Sequence, residues 1–183
     1  SYAAYLDISH PEIEEFLDVR KPTGGDVNRK STNLHHGVMI GDDFMQLIEN
    51  ATREPGFDDS WPLIDPHSGE VKKVVPAKTL WVKLIQNRVE TGEPYIVFRD
   101  TVDEAVPEFQ KELGLRVHQS NLCSEITLPT DKDRTAVCCL SSVNLEEYDE
   151  WKNNDLFIPD LVRMLDNVLE HFITNAPDQL SRA

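Results

Sequence analysis

Strands that alternate with helices predict an α/β fold with largely parallel pairing. Three observations carry that reading. An apolar stretch at residues 3–8 leads into helical spacing at Ile13, Phe16 and Leu17. A second apolar stretch, ending in Gly37-Val38-Met39-Ile40, leads into another helical segment. A third, Pro94-Tyr95-Ile96-Val97-Phe98, follows a long helical pattern at residues 76–90.

Taken in order, residues 3–8 read as a strand. Ser9, Pro11 and Glu12 then make a capping-box pattern with Ser9 at the N-cap, opening a helix to about Arg20. Lys21-Pro22-Thr23-Gly24-Gly25-Asp26 is a loop by its breakers. Residues 34–40 read as a strand, and Asp42 or Asp43 caps a helix through Asn50. Residues 54–68 contain Pro55, Gly56, Pro62 and Pro66 and are expected to be irregular. In the helix at 76–90, Leu80, Leu84, Ile85 and Val89 form the expected apolar stripe, with Gly92 at the terminating position. Residues 94–98 are a buried strand and 102–113 hold a short helix. Residues 117–128 are expected to be extended as far as Pro129, 131–134 to turn, and 135–140 to form a strand. The last helix, 159–174, would direct Leu161, Val162, Leu165, Val168, Leu169 and Phe172 at a core. No internal repeat or low-complexity tract interrupts the chain, and Gly24-Gly25 alone makes no phosphate loop.

Charge narrows the function. The 183 residues carry a net charge of −15, which argues against a general nucleic-acid or anionic-membrane binder, since both need clustered Lys and Arg. A local pocket can still oppose that charge for a small anionic substrate. No apolar run approaches the ~20 residues of a membrane span, and the first residues lack the basic start of a secretory leader. Three cysteines, two of them adjacent, are not a secreted disulfide framework. A cytoplasmic protein with functional or simply buried thiols fits better. The first residue is not Met and the chain stops just past a helix, so a piece of a larger protein is expected.

The densest chemistry lies at Asn121, Cys123 and Glu125. On an extended segment, side chains alternate with period two. These three would share one face, opposite Leu122, Ser124 and Ile126. An amide, a thiol and a carboxylate on one face supply a hydrogen-bond donor and acceptor, a sulfur reactant and a proton acceptor. The residues alone leave a second reading open, a solvated face on which Cys123 is incidental. A carboxylate two residues away disfavours a thiolate nucleophile of the cysteine-protease kind, whereas a one-electron role for sulfur meets no such objection. Cys138 and Cys139 would face opposite sides of a strand, so at most one can share a pocket with Cys123. Cys139 reads as inert core, and the residues do not decide for Cys138. A zinc site built on His118, Cys123, Cys138 and Cys139 lacks any C-x₂-C spacing and is disfavoured; no metal site is expected. His35 and His36 read as surface or packing residues and His10 as structural.

Ser120-Asn121-Leu122-Cys123-Ser124-Glu125-Ile126 resembles the active-site run of class I ribonucleotide reductase large subunits. Three further stretches agree in order. They are the run from Ala4-Tyr5-Leu6-Asp7-Ile8 to Asp18, then Glu90-Thr91-Gly92-Glu93-Pro94-Tyr95, and Ala136-Val137-Cys138-Cys139-Leu140-Ser141-Ser142-Val143-Asn144-Leu145. The similarity covers nearly the whole chain. It implies that residues 1–183 are the central part of the reductase's ten-stranded α/β barrel, with the catalytic loop inside. It implies that Cys123 becomes a thiyl radical, that Glu125 accepts the 3′-hydroxyl proton and that Asn121 holds the substrate. Ser120, Leu122 and Ser124 would join these three in lining the ribonucleoside diphosphate, and Cys138 would be one half of a redox-active cysteine pair.

The same resemblance implies what lies elsewhere: the second redox cysteine, the phosphate-binding helix terminus, the relay tyrosines and the N-terminal nucleotide-binding cone. No cofactor is expected to bind this chain directly. A metal-containing small subunit would supply the radical, with adenosylcobalamin as the alternative source, and thioredoxin or glutaredoxin would be the reductant. The remaining segments of the large subunit and a second copy in a homodimer complete the implied partners. A non-catalytic remnant acting as an interaction module is the other alternative. By itself the chain is expected to expose strand edges, to be poorly stable and to be inactive.

Overall fold

The computed structural model describes residues 2–177, and the chain splits after Leu128 into two compact units. The first unit is built on three parallel strands in the order β1-β2-β5. These are β1 (Tyr2–Asp7), β2 (Leu34–Ile40) and β5 (Tyr95–Phe98). Parallel neighbours require crossovers. The β1-to-β2 crossover carries α1 (Ile13–Leu17). The β2-to-β5 crossover carries α2 (Asp42–Arg53), a hairpin of β3 (Ser60–Ile64) and β4 (Val71–Pro76), and α3 (Ala77–Thr91). After β5 come α4 (Arg99–Ala105) and α5 (Glu108–Glu112), broken at Val106-Pro107, where a single helix was expected. Strand β2, flanked on both sides, buries Val38, Met39 and Ile40 in succession, as a doubly covered parallel strand should.

One core forms against this sheet. Ile8, Ile13, Leu17, Val38, Ile40, Phe44, Leu63 and Leu84 are all essentially closed to solvent. The ring of Phe44 meets Trp61 edge-on with centroids 5.0 Å apart. Helix α3 buries Ala77, Leu80, Leu84 and Asn87. The expected stripe is therefore corrected: Leu80 and Leu84 face inward, whereas Val89 is 82% exposed. Asn87 takes the inward place because α1 ends beneath it. Its Nδ2 donates to the Leu17 carbonyl (2.7 Å) and to Asp18 Oδ1 (3.1 Å), satisfying a carbonyl that a helix end leaves without a partner. Gly92 terminates α3 in the left-handed region, φ 79°.

Residues 54–68 are not wholly irregular, because β3 lies within them. Pro62 breaks the strand pattern in sequence, yet a two-stranded hairpin has only edges, and an edge tolerates a missing N–H. The hairpin docks on the sheet through Trp61 Nε1, which donates to the Ile8 carbonyl (3.3 Å), and Ile64 N, which donates to that of Ser9 (2.7 Å). The capping box also fails to form. Ser9 Oγ donates to Asp7 Oδ1 (2.7 Å) and His10 Nδ1 accepts from the Glu12 amide (3.1 Å), so helix begins only at Ile13 and stops at Leu17. Helix α2 is capped at Gly41 and runs on to Arg53, three residues past the expected end.

The second unit holds an isolated bridge between Asp131 and Arg134, then α6 (Tyr148–Trp151) and α7 (Phe157–Asn175). Residues 135–140 form no strand, since no neighbouring backbone pairs with them among the described residues. Helix α7 appears where expected, but none of its residues is buried. Val162, for example, is 59% exposed. The apolar stripe is real; its cover is not among the described residues of this unit.

Asn87→Ala removes the 2.7 Å donor to the buried Leu17 carbonyl. It is expected to cost about 1–3 kcal/mol in equilibrium denaturation, against under about 0.5 kcal/mol for the exposed Val89→Ala; equal costs would contradict this account of α3.

Candidate active site

Between α5 and the end of the first unit the backbone forms no ladder. Residues 117–128 were expected to be extended, and the structure instead folds residues 121–124 into a turn. The Ser124 amide donates to the Asn121 carbonyl (3.2 Å), and Ser124 sits in the left-handed region at φ 62°. The cause is the Asn121 side chain, which offers the backbone an alternative to a strand. Its Oδ1 accepts from the Glu125 and Ile126 amides, both at 3.1 Å, and its Nδ2 donates to Glu125 Oε1 (2.8 Å). Ser120 is buried and its hydroxyl donates to the Ile126 carbonyl (2.6 Å), closing the base of the loop.

This corrects the alternating-face picture while keeping its members together. Asn121 and Glu125 meet by direct hydrogen bond across a turn. Cys123 stands on the turn and is solvent-exposed, with Leu122 and Ser124 half-buried on either side of it. A thiol at an open apex, one turn from a carboxylate oriented by an amide, suits reaction at sulfur coupled to proton acceptance.

The turn is tied to the sheet. Tyr5 Oη donates to the Asn121 carbonyl (2.7 Å) across 116 positions of sequence. In register, Tyr5 pairs with Gly37 and Gly37 with Tyr95, so the two tyrosines flank a glycine in one row of the parallel sheet. Upstream, the Val117 amide donates to Asp103 Oδ1 of α4 (3.2 Å). A cavity of about 480 Å³ opens at this end of the sheet, lined by Tyr5, Asp7, Arg99, Asp103, Arg116 and His118 among others. Its size is that of a small-molecule site, and it lies beyond the carboxyl ends of β1 and β2, where parallel sheets accept ligands. Arg99 Nη1 is held by Asp7 Oδ2 at 2.5 Å.

A buried polar cluster, not anticipated from the sequence, lies at the other end of β2. Glu93 accepts from His35 Nδ1 (2.5 Å) through one oxygen, and from the His36 amide and Nδ1 (both 3.0 Å) through the other. Burial pushes the Glu93 carboxyl up, but the histidine hydrogen bonds and Arg20 outweigh this and hold it below its ordinary value. Burial pushes the His36 imidazole down, and the Glu93 contacts only partly restore it. Two residues on, burial and then the charges of Glu93 and Cys123 push the Tyr95 phenol up. Buried His36 and half-exposed His35 therefore share a specific polar partner in Glu93, which the reading of them as surface or packing residues did not include. Adjacent histidines gave no hint of this, because the third member lies 57 residues away.

Cys138 is exposed and Cys139 half-buried, both free thiols in the irregular part of the second unit. Among the described residues no three His, Cys, Asp or Glu side chains are arranged to hold a metal ion, and no helix is long and apolar enough to cross a membrane.

Comparison with known proteins places these features. The family model of the ribonucleotide reductase barrel domain matches residues 1–181. A ribonucleoside-diphosphate reductase large subunit of Invertebrate iridescent virus 3 is 46% identical over 230 aligned positions, covering 100% of this chain and 36% of that protein. The large subunit of Arabidopsis thaliana is 32% identical over 94% of this chain, and the match spans 23% of its length. Among solved structures, the Actinobacillus ureae class Id ribonucleotide reductase alpha subunit superposes with a TM-score of 0.74 at 34% identity, over 96% of this chain and 28% of that one. The chain therefore spans little more than a third of the relatives named here, at most, and its mixed α/β architecture is a piece of their barrel.

The Glu93 cluster predicts an acid-sensitive fold. His36 stays neutral when folded and takes up a proton when unfolded, so stability is lost as the pH falls below the ordinary imidazole range, about 6.5. The lowered Glu93 carboxyl adds a further loss at lower pH, as it too becomes protonated. Denaturation midpoints from pH 8 to pH 5 should fall, and His36→Asn should flatten the upper part of that slope; a midpoint flat with pH in the parent would contradict it.

Proposed function

Since the chain belongs to the ribonucleotide reductase barrel-domain family, we propose that it carries the radical centre of a ribonucleoside-diphosphate reductase large subunit. The observation that supports this most is the Asn121 turn, which presents the Cys123 thiol while its amide holds the Glu125 carboxylate 2.8 Å away. In this reading a thiyl radical on Cys123 takes the 3′ hydrogen of the ribose. The S–H bond re-forms, the C3′–H bond breaks and the unpaired electron moves to C3′. Glu125 accepts the 3′-hydroxyl proton. The C2′–O bond breaks and the 2′ hydroxyl takes one proton from a pair of thiols to leave as water, and the second thiol hydrogen forms the new C2′–H bond. The thiol pair gives up two electrons and becomes a disulfide, and Glu125 returns its proton to the 3′ oxygen. Cys138 is one of that pair and the other is supplied by a different segment of the large subunit. Hydrogen from the Cys123 thiol then returns to C3′, restoring the radical.

Ser120, Asn121, Leu122 and Ser124 shape the floor on which the ribose lies, and Asn121 contributes to substrate binding as well as to the turn. The cavity beside Arg99, Arg116 and His118 gives room for the polar substrate despite the acidic surface. A metal-containing small subunit is the radical source favoured over adenosylcobalamin, because the relatives above are named as large or alpha subunits. Thioredoxin or glutaredoxin is the reductant, the full large subunit is a homodimer, and the compartment is the cytoplasm.

Two substitutions test this in the full-length large subunit with its radical-generating partner. Cys123→Ser should abolish deoxyribonucleotide formation while leaving nucleotide binding unchanged. Glu125→Gln, which keeps shape and removes the proton acceptor, should slow turnover by about 10²–10⁴-fold. Turnover that survives Cys123→Ser would overturn the reading.

A further inference from the structure

We propose that Tyr5 is a positioning residue for Cys123: its hydroxyl, seated over Gly37, fixes in place the turn from Asn121 to Ser124 that carries the thiol. The inference rests on Cys123 being the reacting group.

The hydrogen bonds within the turn set its shape. Asn121 to Glu125, Asn121 to Ile126 and Ser120 to Ile126 all begin and end inside the loop. None of them says where the turn stands relative to the sheet. That is the work of the bond from Tyr5 Oη to the Asn121 carbonyl at 2.7 Å, aided by the more distant tie from Val117 to Asp103. A phenol on a strand is a stiff arm, with two rotatable bonds and a fixed reach, so the carbonyl it holds has little freedom.

Gly37 explains how the arm lies where it does. The residue is buried in the middle of β2, and its backbone is not in the left-handed region, so no turn conformation calls for glycine there. What calls for it is space. A Cβ at Gly37 would come within 2.6 Å of Tyr5 Cδ1, inside the ring's contact distance. Glycine weakens a strand interior, and in such a place it marks a close approach by another group. Here that group is the Tyr5 ring, lying across its strand neighbour towards the loop. Tyr95 closes the other side of the same row.

Hydrogen transfer between sulfur and carbon tolerates little misplacement; an error of about 1 Å can cost about 100-fold in rate. Tyr5→Phe keeps the ring over Gly37 and deletes only the bond. In the full-length large subunit with its small subunit, it should lower kcat by about 10- to 100-fold with KM for the substrate and the melting temperature unchanged. The alkylation rate of Cys123 should change in the same variant while that of Cys138 does not. Gly37→Ala should reproduce both effects by displacing the ring, and the double variant should be no worse than Gly37→Ala alone. Parental kcat in Tyr5→Phe, or an unaltered Cys123 alkylation rate, would overturn the proposal. The two ideas fail separately. If Cys123→Ser is dead and Tyr5→Phe fully active, Tyr5 is not a positioning residue and the radical reading stands. If Cys123→Ser is active, the radical reading falls, and the alkylation rates still decide whether Tyr5 places the thiol.

Discussion

The Asn121 carbonyl accepts from the Ser124 amide inside its own turn and from the Tyr5 hydroxyl, 2.7 Å away on the first strand of the chain, and only the second bond ties the turn to the sheet. The arrangement around Cys123 depends on this constraint. The parallel register places Tyr5 beside Gly37 and Gly37 beside Tyr95. The missing side chain at Gly37 lets the ring lie down, and the hydroxyl then reaches the loop. The core beneath serves the same end. Phe44, Trp61, Leu80 and Leu84 pack the crossover elements against β2, so the strand that carries Gly37 is buried along most of its length.

Polar groups around the sheet are allocated by the same logic. Where a helix ends, Asn87 supplies a donor; where β2 begins, Glu93 collects the His36 amide and two imidazoles; where the loop turns, Asn121 spends both ends of its amide on its own neighbours. Each case places a polar side chain where backbone or ring groups would otherwise lie without a partner. The Asn121 case matters most for chemistry, because the amide that shapes the turn also orients the carboxylate proposed to accept a proton. Shape and reactivity are therefore coupled at one residue.

The fold class was legible because its signals are local. Periodicity marked α3 and α7, a candidate aspartate cap marked α2, and the apolar runs marked β1, β2 and β5. The hairpin was hidden by Pro62, whose cost vanishes on an edge strand. The capping box at Ser9 lost to Asp7 and His10, both close in sequence but with no signal to rank them. At the candidate site the expected residues do lie together on one loop, but not in the expected geometry. Asn121, Cys123 and Glu125 were singled out by residue type, yet period-two reasoning drew them as one face of a strand, where the Asn121 side chain builds a turn. Tyr5, Gly37 and Tyr95 were invisible as a unit, since only strand register brings positions 5, 37 and 95 into one row. Helix α7 lies where periodicity put it, but the core its stripe was expected to face is not there, since none of its residues is buried and periodicity names an apolar face without saying what covers it.

The central claim is that Cys123, held on this turn, removes a hydrogen atom from the 3′ carbon of a ribonucleotide. The most direct measurement is an isotope competition in which the full-length enzyme and its partner convert a mixture of 3′-deuterated and ordinary ribonucleoside diphosphate. The account predicts that the unreacted substrate becomes enriched in deuterium, because breaking the C3′–H bond discriminates between isotopes. Conversion that leaves the isotope ratio of the remaining substrate unchanged would contradict it.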